Sequence, residues 1–124
     1  MADSPVNLLL VEDEDGLREL VAHFLRRAHY HVVEAEDGGA AIDRYEDSGP
    51  FDVALVDLNL PCCSGVEVCR RIRGANPSQP IIICSGAVLS SHETELAAIG
   101  VTEYLTKPYR PNVLLARIAG ALAG

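Results

Sequence analysis

Residues Phe51–Pro61 read FDVALVDLNLP, an aliphatic run that ends on a carboxylate, Asp57, before a proline stops it. A strand that runs into water is often capped by a polar residue, so Asp57 alone carries no function. The run itself says more. Phe51 to Val56 has no polar alternation after Asp52, the pattern of a strand covered on both faces, as in a parallel sheet flanked by helices. Val6 to Val11 (VNLLLV) and Pro80 to Cys84 (PIIIC) have the same character. Amphipathic segments lie between these strands.

Working outward, Gly16 to Ala28 places Leu17, Leu20, Val21, Phe24, Leu25 and Ala28 at helical spacing. His31 to Ala35 reads as a short second strand and Gly38 to Ser48 as a second helix, closed by Gly49 and Pro50. Ser64 to Arg73 is a third helix, with Val66, Cys69 and Ile72 on one side. His92 to Ile99 is a fourth, weak helix, because VLSSHETELAAIG holds few apolar anchors; a mobile element is expected there. Val101 to Leu105 is a fifth strand. Pro111 to Leu122 is the last helix, with proline in the first turn where its missing N–H is not needed. Five βα units and right-handed crossovers predict an α/β, three-layer, doubly wound (βα)5 sandwich of the flavodoxin-like type. Strands two and five are shorter and more polar, so they belong at the edges of a parallel sheet ordered 2-1-3-4-5. One domain is expected over 1–124, with its core at about 5–122.

Bulk properties narrow the function. Eighteen acidic residues against ten basic give a net charge of −8, which disfavours non-specific nucleic-acid binding by this chain. No apolar run approaches the roughly 20 residues that span a bilayer, and no secretion signal is evident. A cytoplasmic location with no membrane contact is expected. The four cysteines, Cys62, Cys63, Cys69 and Cys84, lack zinc spacing, and adjacent Cys62 and Cys63 suit an ordinary disulfide poorly. Reduced, incidental thiols are the simple reading.

In a doubly wound fold the ligand site lies beyond the carboxyl ends of the strands beside the switch point. Glu12 and Asp13 follow strand one, Asp57 strand three, Ser85 strand four, and Lys107 with Pro108 strand five. Three carboxylates, a hydroxyl and an ammonium thus converge on one rim. Three acids together are tolerable around a hard divalent cation. Mg2+ takes six oxygens at about 2.0–2.1 Å. Asp13 and Asp57 offer carboxylates, Asn59 a main-chain carbonyl, and Glu12 direct or water-mediated help. Mn2+ or Ca2+ would suit the same oxygens. A carboxylate is a competent nucleophile toward a phosphoryl group, with Lys107 offsetting charge and Ser85 donating to a phosphoryl oxygen. A cis Lys107–Pro108 bond would aim the lysine inward.

The pieces LLLVEDED (Leu8 to Asp15), DLNLPCCSG (Asp57 to Gly65), IIICSG (Ile81 to Gly86) and GVTEYLTKPY (Gly100 to Tyr109) resemble the receiver domain of two-component response regulators over essentially the whole chain. The resemblance implies a phosphoryl-accepting signalling switch. Asp57 is then the acceptor, Asp13 and Glu12 the acidic pair that organises magnesium, and Asn59 the lender of a carbonyl. Ser85 is the switch hydroxyl, Tyr104 the switch aromatic, and Lys107 the phosphoryl contact. The implied partner is a sensor histidine kinase or phosphotransfer protein. The implied output is a changed face of helix four, strand five and helix five. Such a domain promotes its own phosphorylation and dephosphorylation without being a metabolic enzyme.

The last helix resembles receivers that carry a winged-helix DNA-binding domain and dimerise through that face. DNA would then be reached only through an output domain absent from this chain, which is expected to be either an excised receiver or a stand-alone one. Two departures stand out. Ser64 replaces a common acid, and Gly86 a common alanine; the bare Gly86 is expected to admit water and shorten the phosphate lifetime. Two alternatives have different outputs. One is a phosphate-independent interaction domain, which predicts loss of Asp13, Asp57 or Lys107, all present. The other is an aspartyl-phosphate phosphohydrolase, whose second aspartate is here Asn59, unable to move a proton. Nucleotide binding lacks a Gly-rich loop after strand one.

Overall fold

The computed structural model of the chain describes residues 5–60, 64–86 and 92–123; Cys62 and Cys63 lie outside them. Strands β1 (Val6–Val11), β2 (Tyr30–Ala35), β3 (Val53–Asp57), β4 (Ile81–Ser85) and β5 (Glu103–Thr106) alternate with helices α1 (Asp15–Arg27), α2 (Gly38–Ser48), α3 (Gly65–Ala75), α4 (Glu93–Ala98) and α5 (Pro111–Ala123). All strands are parallel, in the order β2-β1-β3-β4-β5. The predicted order and switch between β1 and β3 are therefore observed.

The period-two geometry of the strands sorts the core into two halves. Leu8, Leu10, Val53, Leu55, Ile82 and Cys84 pack against α1 and α5 through Val21, Leu25, Leu114 and Ile118. Leu9, Val11, Ala54, Val56 and Ile83 face α2, α3 and α4 through Ala41, Tyr45, Val68, Ile72 and Leu96. Every residue of β3 and β4 is buried, as the unbroken aliphatic runs require. Truncating a side chain such as Leu55 to alanine would cost about 2–5 kcal/mol.

Strand boundaries follow the backbone ladder rather than hydrophobicity. Phe51 is buried but lies before β3, its ring 5.8 Å from that of Tyr45. Asp57 belongs to β3 and pairs in register with Cys84, and Ser85 of β4 pairs with Thr106. Side chains cap α2 and α3: Asp37 accepts from the Ala40 N–H at 2.8 Å, and Ser64 from the Glu67 N–H at 3.3 Å. Ser64 is thus the cap of α3 rather than its first residue, which gives this departure from the usual acid a structural role. Helix α4 is six residues long, with Leu96 its buried residue.

Candidate functional site

The carboxyl ends of β1, β3 and β5 place Glu12, Asp57 and Lys107 together. Lys107 Nζ donates to Glu12 Oε1 at 2.6 Å and to Asp57 Oδ2 at 3.1 Å. Glu12 and Asp57 are 4% and 5% exposed, while Asp13 lies at the surface. One oxygen from each of Glu12, Asp13 and Asp57 lies within 4.8 Å of the others. Two buried carboxylates share one ammonium and a third carboxylate lies beside them, so negative charge is left over. An all-oxygen, net-acidic cluster of this size suits a hard divalent cation such as Mg2+.

The electrostatics follow from burial. Desolvation pushes the Glu12 carboxyl above its ordinary value, and the hydrogen bonds from Lys107 and the Glu14 N–H offset part of that rise. Burial alone would depress Lys107; its hydrogen bonds to Glu12 and Asp57 win, and the ammonium is held above its usual range. The lysine is therefore a fixed cation at neutral pH.

Backbone contacts hold the remaining residues in place. The Asn59 N–H donates to Asp57 Oδ1 at 3.1 Å, so the turn after β3 closes on the Asp57 carboxylate. Ser85 is 2% exposed, and its carbonyl accepts from the Lys107 N–H at 2.8 Å. The Lys107–Pro108 peptide is cis. Behind Asp57, α3 starts on Gly65, where a Cβ would lie 2.4 Å from the Asp57 carbonyl oxygen. Only glycine lets the helix approach this closely. Tyr104 is half-buried, packs against the α2–α4 half of the core, and donates from its hydroxyl to the Val101 carbonyl at 3.3 Å. Gly86 and Pro108 line a cavity of about 400 Å3 with Leu17, Lys107 and Tyr109. A Cβ on Gly86 would meet Lys107 Cβ at 3.7 Å, an ordinary contact, so alanine fits there.

The sequence passed over Arg18 and Gln79. Arg18 donates to the Glu12 carbonyl at 3.0 Å; the only hint was an acid at i−3. Gln79, 0% exposed, sits at the opposite end of the sheet, and a polar residue before a proline carries no signal.

The molecule contains no helix, among the described residues, long and apolar enough to cross a membrane. Residues 8–119 match the family described as the response regulator receiver domain. Sensory transduction protein RegX3 of Mycolicibacterium smegmatis is 35% identical over 116 residues, covering 94% of this chain and 50% of that protein. The chain thus spans about half the length of that curated relative. Chemotaxis protein CheY4 of Vibrio cholerae superposes with a TM-score of 0.89 at 30% identity, covering 96% of this chain and 100% of that one. The receiver domain of sensor histidine kinase PA1611 of Pseudomonas aeruginosa, solved with a magnesium ion coordinated in its active site cleft, gives 0.86 at 26% identity, covering 98% and 100%. With residues 8–119 matching this family, a relative 35% identical over 94% of the chain and a 2-1-3-4-5 parallel sheet, the chain belongs to the response regulator receiver domains of two-component signalling.

Proposed function

We propose that Asp57 accepts a phosphoryl group, in a Mg2+-dependent reaction, from a phosphohistidine on a sensor histidine kinase or phosphotransfer protein. The observation that carries this reading is the Asp57 carboxylate at a strand end, 3.1 Å from the Lys107 ammonium and within 4.8 Å of Glu12 and Asp13 oxygens. An Asp57 oxygen attacks phosphorus, the P–N bond breaks, and the imidazole keeps the electron pair and takes up a proton. When bound through Asp13, Asp57 and the Asn59 carbonyl, with Glu12 assisting, Mg2+ supplies positive charge to the phosphoryl oxygens. Lys107 is already held at the acceptor and can transfer its hydrogen bond to a phosphoryl oxygen.

The new group adds charge and strong acceptors beside Ser85. Ser85 turning toward it leaves room that Tyr104 fills, and the face of α4, β5 and α5 repacks as a population shift. That face would signal to an output domain, to DNA through such a domain, or to a second copy of the chain.

Acetyl phosphate with Mg2+, followed by intact mass, tests the acceptor. A single phosphoryl adduct is expected in the wild type. It should be lost in Asp57→Asn and when magnesium is chelated. No adduct, under conditions that label another receiver, would favour a phosphate-independent interaction domain on the same fold.

A further inference from the structure

The main chain of Glu12 is tied on one side to the edge strand β2 and on the other to α1. Its N–H donates to the Ala35 carbonyl at 3.0 Å. Its carbonyl accepts from Arg18 Nη1 at 3.0 Å. The other guanidinium nitrogens of Arg18 are also engaged: Nη2 is 2.8 Å from Asp15 Oδ1, and Nε is 3.4 Å from Glu34 Oε1. Glu34 is held in turn, since its second oxygen lies 3.0 Å from Arg26 Nη1 and its carbonyl accepts from Arg44 Nε at 3.2 Å. Arg26 completes the chain by donating to the Val32 carbonyl at 2.9 Å.

The exposures make this more than a surface ion pair. The Arg18 side chain is 14% exposed, against 77% for Asp15. An exposed i,i+3 pair would be worth a few tenths of a kcal/mol and would leave the arginine in water. Here a largely covered guanidinium is spent on a main-chain oxygen of the acidic turn. A planar fork with separate donors can serve three oxygens at once; an ammonium on a flexible stem holds such a geometry poorly. Glu12 needs that restraint, because its side chain accepts from Lys107 and from the Glu14 N–H. Both its carboxylate oxygens are therefore aimed, one of them into the cluster shared with Asp13 and Asp57.

We propose that Arg18, braced by Glu34 of the edge strand, is a positioning residue that holds the Glu12–Asp13 turn in the geometry a divalent cation requires. The proposal rests on the metal reading given under Proposed function. Groups behind the ligands set affinity by fixing the ligands' orientation. Removing positive charge near a cation site would by itself tighten cation binding, so a charge-preserving variant separates geometry from charge.

The test titrates the wild type, Arg18→Lys and Glu34→Gln with magnesium chloride by calorimetry, alongside thermal unfolding in chelator. Arg18→Lys keeps the charge and loses the fork. It should weaken Mg2+ binding by about tenfold with little change in metal-free unfolding temperature. Glu34→Gln, with Arg18 intact but unbraced, should weaken it by about threefold in roughly 0.5 M salt, where the loss of its own charge is screened, and in the same salt the double variant should bind no more weakly than Arg18→Lys alone. An Arg18→Lys affinity within about twofold of wild type overturns the proposal. So does a fall in unfolding temperature with unchanged affinity, which is what a purely structural role gives. Should Arg18→Lys fail to fold, unchanged affinity in Glu34→Gln overturns it instead. A wild type that binds no Mg2+ refutes the metal reading and this proposal with it, and the wild-type titration alone tells that case from the others.

Discussion

The two ends of the sheet both bury polar groups, yet they solve the problem differently. At the amino end, the Gln79 amide is fully partnered. Its Oε1 accepts from the Tyr45 hydroxyl at 2.7 Å and the Phe51 N–H at 3.0 Å. Its Nε2 donates to the Phe51 carbonyl at 2.7 Å and the Pro80 carbonyl at 3.1 Å. A primary amide has two donors and one two-lone-pair acceptor, so nothing is left over. Arg73 extends this knot by donating to the carbonyls of Ile99 and Gln79. At the carboxyl end, Glu12 and Asp57 share one lysine, with an Asp13 oxygen beside them. Glu12 and Asp57 have hydrogen-bond partners, but the charge of the three acids is not balanced. A saturated knot built on a neutral amide fastens the fold; an unbalanced cluster of acids is ready to bind something.

Four experiments press on that contrast. Gln79→Leu leaves the Tyr45 hydroxyl and both Phe51 backbone groups without Gln79 as partner. It should destabilise the fold by about 4 kcal/mol in urea unfolding. Phosphoryl uptake per folded molecule should be unchanged, and a loss of uptake would show the two ends to be coupled. Lys107→Met removes the cation at the other end. It should slow phosphorylation by acetyl phosphate about 100-fold, equivalent to about 2.7 kcal/mol.

Asp57→Asn lowers the charge of the cluster and leaves Lys107 to Glu12. In metal-free buffer it should raise the unfolding free energy by about 1 kcal/mol, whereas polar deletions at the amino end destabilise. A destabilised Asp57→Asn protein would remove the distinction between the two ends. The smallest effect belongs to Gly86→Ala, which narrows the cavity beside Lys107 without a clash. Dephosphorylation should slow about twofold, read from the decay of the phosphoryl adduct; equal decay rates would show that Gly86 does not govern water access.

Hydrophobic pattern was sufficient for the element order and the sheet, because buried parallel strands cannot alternate and their crossover helices must. It was not sufficient for strand ends. Phe51 looked like strand because it is buried, yet it packs against Tyr45 ahead of the ladder. Asp57 looked like the residue after a strand because it is charged, yet its backbone still pairs with Cys84. Glu12, Asp57 and Lys107 were legible because the fold dictates which chain positions meet at the rim. Arg18 and Gln79 were not, since their roles depend on where a long side chain turns for its partner, and several partners are main-chain carbonyls that no residue type advertises.

Lys107 meets Glu12 across 95 residues and Asp57 across 50. Seen from the ribosome, Asp57 is made well before its lysine, which comes only near the end of this domain. A nascent or truncated chain lacking β5 holds both acids without their cation. On the phosphoryl-accepting role proposed above, a chain without β5 would respond only sluggishly, so full responsiveness would report that the strand leading to this lysine has been made and folded.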